Sequence, residues 1–373
     1  MLSYSVTWKV ALVATASLGV LLLIETGRTF ALRRLTPEPF PGLSADPRLL
    51  PFLGSVSSAS MACPPGDQAF LVAVHPLFHY ELVTNGPSDT ASQICLRAVA
   101  SGGHGQNSLF FEEPASNFVV DLLRRVSAEF SNASSPSPRP WLLDVGANIG
   151  VFSVPAAAAG FPVIAIEATP GTAARLNCAA ARNNASHLKV MHAAVVDSTG
   201  PSHVCVDARG GKENVGANAV TTRCTEEQKR IPTMLLDQLP QGLSAPTVLK
   251  LDVEGYELQA LRGGLDWISS HRPTFVYMEV APFLAEGTAG SKHAWLDAIS
   301  FWLDLDYHAW VPGPDGIVIT QQLITDERAG ASPRLSTALS TCSYNIFLSQ
   351  RTAADIGVSI PKDMCATHGA RTP

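Results

Sequence analysis

The fold class predicted by this 373-residue sequence is α/β, built on an open and largely parallel sheet, and three observations predict it. From Trp141 onward, short β-branched runs alternate with stretches of helical period, the pattern of repeated βαβ units. A glycine-bearing turn, DVGANIG at Asp144–Gly150, joins the first of these strands to its helix. Acidic residues then close successive strands, at Asp144, Glu167, Asp252 and Glu279, on the sheet edge where open α/β folds place their ligands.

Composition excludes some classes before any motif is read. Apolar residues make up 46% and charged residues 16%, with a net charge of −6 and no run of Lys or Arg, so nucleic acid is not an expected partner. Seven cysteines are spread along the chain with no C-x-x-C pair, which removes support for metal knuckles and thioredoxin-like redox chemistry.

Element by element, residues 1–30 hold an apolar run without charges, Val10–Ile24, preceded by Lys9 and followed by Glu25 and Arg28. As a helix its 15 residues reach about 22 Å, less than a comfortable span needs but tolerable in a thin early-secretory membrane. The expectation is a retained single-pass membrane anchor; the rival is a cleaved signal peptide with Thr29-Phe30-Ala31 as its small-x-small site. Arg28, Arg33 and Arg34 outnumber Lys9, which by the positive-inside rule favours a cytosolic body. Two sequons, Asn132-Ala133-Ser134 and Asn184-Ala185-Ser186, argue for a glycosylated body in the ER or Golgi lumen, and that is the expected location. Chance alone produces many N-x-S/T triplets.

Residues 31–65, rich in Pro, Ser and Ala, read as a stem. Residues 66–140 form a lead-in, with strands in Phe70–Val83 and Ser92–Ala98 and a helix over Phe118–Phe130. That helix carries apolar residues at 118, 119, 122, 123, 126 and 130, a stripe of helical period. Residues 141–350 form the main domain. Its expected strands are Trp141–Val145, Pro162–Ile166, Leu188–Val195, Thr247–Val253, Thr274–Val280, Tyr307–Val311 and Tyr344–Ser349. Its helices are Val151–Ala159, Thr172–Asn183, Tyr256–Arg262 and Lys292–Leu303. A protruding hairpin, His203–Asp207 and Ala219–Cys224 around RGGKENVGAN, interrupts the alternation. Cys205 and Cys224 lie on its arms, bridged if the register opposes them and two separate thiols otherwise. Residues 351–373 read as a loose tail.

The chemistry starts at the turn. Gly146 and Gly150 remove side chains where the backbone bends and a ligand comes close. Glu167, seventeen residues after Gly150, stands where a carboxylate can accept both hydroxyls of a ribose. A nucleoside-bearing cofactor follows. A dinucleotide requires G-x-G-x-x-G, but here the second glycine comes four residues on and a third is missing. An acid ahead of the turn also suits a cation better than a pyrophosphate. S-adenosylmethionine, with an ammonium, a sulfonium and no phosphate, fits.

The second constellation is Lys250-Leu251-Asp252-Val253-Glu254-Gly255-Tyr256-Glu257. Two residues apart in an extended chain, Asp252 and Glu254 point to the same side. Glu279 ends what should be the adjacent strand. A poor hydroxyl nucleophile needs positioning and a base, and these three acids are the clustered candidates, since like charges raise at least one pKa. The same oxygens could hold a cation that polarises the hydroxyl; no dedicated metal site is expected. For Glu254 and Glu257 a helix-capping role is the competing reading.

Together, D-V-G-A-N-I-G-x-F, Glu167, K-L-D-V-E-G-Y-E-x-x-x-L-x-G and Tyr277-Met278-Glu279 resemble the FkbM family of S-adenosylmethionine-dependent methyltransferases, from about Trp141 to Ser349. The resemblance implies a class I, Rossmann-like sheet of seven strands with the last antiparallel. It implies O-methylation of a hydroxyl, often on a sugar or polyketide. It also implies that Asp144, Gly146, Asn148 and Gly150 line the methionine part of the cofactor, that Glu167 holds the ribose, and that Asp197 serves the adenine side. A small-molecule or glycan acceptor follows. Two rivals remain: a membrane-anchored glycosyltransferase using Asp304-Leu305-Asp306 as a D-x-D, and a non-catalytic cofactor-binding module.

Overall fold

The computed structural model describes residues 138–351 except 208–218, 226–227, 229, 283–290, 313–315, 332–333 and 342–344; ahead of these it describes residues 24–25, 28–29, 40, 49, 68–75, 78–84 and 113–131. The chain divides into two units, Met1–Pro41 and Gly42–Pro373. In the first, β1 (Ile24–Glu25) pairs antiparallel with β2 (Arg28–Thr29). Ile24, expected as the end of a helix, therefore lies in a strand; residues 10–23 fall outside the described residues. Among the described residues no helix is long and apolar enough to cross a membrane.

The second unit opens with an antiparallel hairpin, β3 (Gln68–His75) and β4 (Phe78–Thr84), where one β-rich stretch was expected. The expected strand Ser92–Ala98 lies outside the described residues. Helix α1 (Glu113–Ser131) begins five residues before the expected start. Its buried stripe runs through Phe118, Val119, Leu122, Leu123 and Val126, but Phe130 is exposed because the helix has by then left the core.

From there the alternation holds: β5 (Leu142–Val145), α2 (Ser153–Ala158), β6 (Val163–Glu167), α3 (Pro170–Arg182) and β7 (Leu188–His192). β5, β6 and β7 pair in parallel. Every residue of β5 and β6 is buried, as a sheet covered on both faces requires.

The expected strand Leu188–Val195 breaks at Ala193, whose N–H donates to the Glu167 carbonyl (3.1 Å). β8 (Ala194–Val195) has already left the main sheet. With β9 (His203–Asp207), β10 (Ala219–Thr221) and β11 (Ile231–Met234) it forms a second sheet in the order β10-β9-β11-β8. β11 was not foreseen, because Pro232 breaks its apolar pattern; there it pairs with His203 next to the buried Ile231. The hairpin register sets Thr221 opposite Cys205, and Cys205 and Cys224 are disulfide-bonded with their Cα atoms 5.5 Å apart.

The chain then returns through β12 (Val248–Leu251), α4 (Glu257–Arg262), α5 (Leu265–His271), β13 (Phe275–Glu279), α6 (Ala294–Asp304), β14 (His308–Val311), β15 (Ile317–Ile319), α7 (Gln321–Arg328), α8 (Arg334–Thr341) and β16 (Asn345–Ser349). The main sheet runs β15-β14-β16-β13-β12-β5-β6-β7, eight strands rather than seven. The extra strand is β15, a three-residue hairpin return on β14 too short to show alternation in sequence. The last strand, β16, is antiparallel to both neighbours, as expected. Phe347 at its centre packs edge-on against Phe118 of α1 (5.3 Å) and stacks on Phe275 of β13 (5.9 Å), joining helix and sheet in one core.

Candidate active site

The parallel strands β5, β6, β12 and β13 all end on one side of the sheet, and the chain turns there in ways only certain residues permit. After β5, Gly146 N and Ala147 N both donate to the Ile166 carbonyl at the end of β6 (2.9 and 3.0 Å). Gly146 has φ +78°, and a Cβ on it would stand 1.7 Å from the backbone oxygen of Asp252. Glycine is required there twice over, for its conformation and for the close approach. Asn148 also takes a positive φ, +51°, and its Oδ1 accepts from Ile149 N (2.9 Å), the local bond that lets asparagine adopt this shape. Glu167 clamps the turn: Oε2 accepts from Asn148 N (2.9 Å) and Oε1 from Thr169 N (2.7 Å). Gly150 N in turn donates to the Ala147 carbonyl (2.9 Å). Each amide from Gly146 to Gly150 thus has an acceptor within the protein.

Beneath the turn lies a buried ion pair. Asp144 is fully buried; it accepts from Ser153 Oγ, and the Lys250 ammonium stands 3.8 Å from its other oxygen. Burial raises the Asp144 pKa and Lys250 opposes the rise. The ammonium also reaches Asp252 Oδ2 (3.2 Å), donates to the Gly146 carbonyl (2.7 Å) and lies over the Phe152 ring. Asp144 and Lys250 are direct neighbours in the β5–β12 register, so the strands themselves bring the pair together.

The acids gather at the end of β12 and β13. Asp252, Glu254 and Glu279 each place one carboxylate oxygen within 4.8 Å of the others. The route differs from the expected one. The chain is not extended through Asp252–Glu254; Glu254 and Gly255 have φ +55° and +95°, and this turn, not strand alternation, aims the side chains. Glu257 fixes its shape, with Oε1 accepting from Val253 N (2.9 Å) and Gly255 N (3.2 Å). The capping role thus falls to Glu257, whose burial pushes its pKa up to about 7. Glu279 is raised well above the usual carboxylate range, first by burial and then by the charges of Asp252, Glu254 and Glu257. Its Oε2 is buried without a hydrogen-bond partner.

Residues 144–308 match the family model described as the methyltransferase FkbM domain. The match covers less than half of the chain. Among solved structures it is similar to methyltransferase FkbM from Methylobacillus flagellatus KT, at 18% identity over 59% of this chain and 56% of that one, with a TM-score of 0.30. It is also similar to an O-methyltransferase from Bacillus cereus in complex with SAH, at 11% identity over 68% of this chain and 94% of that one (TM-score 0.30). At scores this low the structural likeness adds nothing to the family match. The aligned part spans little more than half of the Methylobacillus chain. No curated protein matches the sequence.

Within the matched residues, the structure brings Asp144, Gly146, Asn148, Gly150, Glu167, Asp252, Glu254 and Glu279 to one edge of the sheet, with two changes of task. Asp144, expected to line the methionine part of the cofactor, is buried beneath the turn as the partner of Lys250 and Ser153. Asp197 stays local: its Oδ1 accepts from Thr199 N and Oγ1 (2.9 and 2.7 Å), closing an exposed turn beyond β8. A carboxylate spent on its own turn explains the acid there without an adenine. Asp304 and Asp306 close α6 instead of ending a strand, and Asp304 accepts from Gln321, so the D-x-D does not converge on a site.

Lys250, the cation of the site, had no assigned role in the sequence reading. Its signal was a lone charge in the apolar run Val248–Leu251, which a doubly covered strand tolerates only with a partner. Ser153 and Tyr256 gave no such signal. Replacing Lys250 with methionine leaves Asp144 buried and uncompensated, and is expected to cost about 3–5 kcal/mol of stability, read by urea denaturation.

Proposed function

We propose that the protein is an S-adenosylmethionine-dependent O-methyltransferase acting on a hydroxyl of a sugar or glycan. The observation that carries the reading is the convergence of Asp252, Glu254 and Glu279 beside the Gly146–Gly150 turn. The turn suits this cofactor rather than a dinucleotide. A pyrophosphate needs free N–H groups, and each amide from Gly146 to Gly150 is bonded internally. Lys250 pairs with Asp144 and Asp252, while Glu254 and Glu279 gather with Asp252 beyond it, so carboxylates outnumber the cation and favour a ligand carrying positive charge.

When bound, the cofactor supplies an electrophilic methyl group; the protein supplies position and a proton acceptor. Glu167 spends its carboxylate on the amides of Asn148 and Thr169 and on the Thr169 side chain, and its remaining lone pair serves a ribose hydroxyl. Glu279, made basic by burial and by its acidic neighbours, takes the proton of the acceptor hydroxyl. Asp252 is held by Lys250 beside Glu279 and orients that hydroxyl.

A glycan acceptor and a lumenal, membrane-anchored body belong to this proposal. The apolar run Val10–Ile24 supports an anchor, and Asn184 of the second sequon is exposed. Cys205–Cys224 is a disulfide and Cys178 is disulfide-bonded as well, which suits an oxidising compartment. Isothermal titration of the full chain with S-adenosylmethionine tests the cofactor, and transfer of labelled methyl to methyl glycosides tests the acceptor. Absence of binding at cellular cofactor concentration would sink the enzyme reading. Binding without transfer to any glycoside would move the acceptor to another hydroxyl class.

A further inference from the structure

We propose that the cross-linked hairpin β9–β10 is the acceptor-side wall of the active site, and that Tyr256 is the positioning residue coupling it to the acids. This rests on the methyltransferase reading above. The second sheet leaves the main sheet at its ligand-binding edge, since β8 follows directly on the end of β7, where His192 pairs with Glu167. Ala193 is bonded to the Glu167 carbonyl, and Val196 N donates to the carbonyl of Met234 at the end of β11 (3.0 Å). The hairpin therefore stands on the side where β5, β6, β12 and β13 end.

Among the described residues, a hydrogen bond ties it to the chemistry. Tyr256 Oη donates to the Val220 carbonyl on β10 (3.1 Å), across 36 residues of sequence. Tyr256 follows Gly255 and precedes Glu257, in the middle of the turn that aims Asp252 and Glu254. Val220 pairs with Val206, and the next pair, Thr221 and Cys205, leads into the Cys205–Cys224 bridge. Gln228 Nε2 donates to the Val206 carbonyl (3.0 Å) and fastens the segment after β10 to β9. A displacement of the hairpin can thus pass through the Val220 carbonyl and the Tyr256 phenol to the backbone between two acids. With the cofactor turn on the β5–β6 side of the acids, the acceptor must reach Glu279 from elsewhere, and β10 borders that approach. Thr222 and Arg223, which continue β10, are exposed and give this border a polar rim suited to a hydroxylated acceptor.

The test uses the full chain with Tyr256→Phe, which removes one hydroxyl, and with the pair Cys205→Ser and Cys224→Ser. In both, amide exchange over residues 252–257 is expected to rise about fivefold, the size of one lost hydrogen bond, while β5–β7 stay protected. The dissociation constant of S-adenosylmethionine is expected to hold, and KM for methyl glycoside acceptors to rise about tenfold with kcat unchanged. Because the two changes act through one path, the combined variant is expected to be no worse than the cysteine pair alone. Unchanged exchange over 252–257, or a rise spread through β5–β7, overturns the coupling. Loss of cofactor affinity in step with KM overturns the assignment to the acceptor side. The exchange measurement needs no cofactor, so a wild-type protein that binds no S-adenosylmethionine would sink the methyltransferase reading separately.

Discussion

Replacing Glu279 with glutamine is expected to leave S-adenosylmethionine binding in place and to slow methyl transfer by about 10²–10⁴-fold, the usual contribution of a positioned base. Glutamine keeps the size and polarity of the side chain and removes only its capacity to take a proton. Burial and the charges of Asp252, Glu254 and Glu257 raise the Glu279 pKa, so the basic form appears only as pH climbs past the ordinary carboxylate range. The rate is accordingly expected to rise with pH on its acid limb, and that limb should vanish in the variant. Turnover that survives the substitution would remove Glu279 from the role.

The same burial has a cost in stability, with a definite sign. Glu257 has an ordinary pKa of 4.5 and is raised to about 7 in the folded protein. Between those values the folded state binds more protons than the unfolded one. The stability from this group is therefore complete below 4.5 and lost as pH rises through about 7. Glu279 shifts the same way. Thermal melts without cofactor are expected to fall between pH 5 and pH 8, and Glu257→Gln should flatten the slope.

Gly146→Ala is expected to be the most disruptive single methyl group in the domain. The added Cβ would stand 1.7 Å from Asp252 O, a backbone atom that cannot swing aside, in a conformation with φ +78°. Left-handed strain and overpacking together amount to about 2–5 kcal/mol. Relief must push the end of β5 away from the end of β12, which parts the cofactor turn from Asp252. Gly160→Ala is the control, because Gly160 has φ +94° with open space around its Cβ position and pays for strain alone, about 1–2 kcal/mol. Denaturant unfolding of both variants checks the difference; equal losses would mean that the close approach to Asp252 carries no cost.

Much of the site was legible because it depends on strand ends. A strand with both faces covered must be apolar, so a charged residue at its carboxyl end marks the edge where ligands bind; Glu167 and Glu279 are of this kind. Asp144 was found by the same rule, but nothing local says that its partner is Lys250, about a hundred residues on. Asp252 and Glu254 were selected by strand alternation, yet they converge through a turn with positive φ at Glu254.

The sequence by itself determined the alternation of the main strands with α2, α3, α4 and α6, the cofactor turn and the acids, but not α5, α7, α8 or β11. Side-chain periodicity, glycine and burial of apolar runs act over a few residues, and short elements show no period. Only the tertiary structure decided that β8 leaves the main sheet, that β15 adds an eighth strand, that Cys205 meets Cys224, and that Tyr256 reaches Val220. Those are matters of register and packing between distant segments, where the winning contact depends on which other surfaces are already covered.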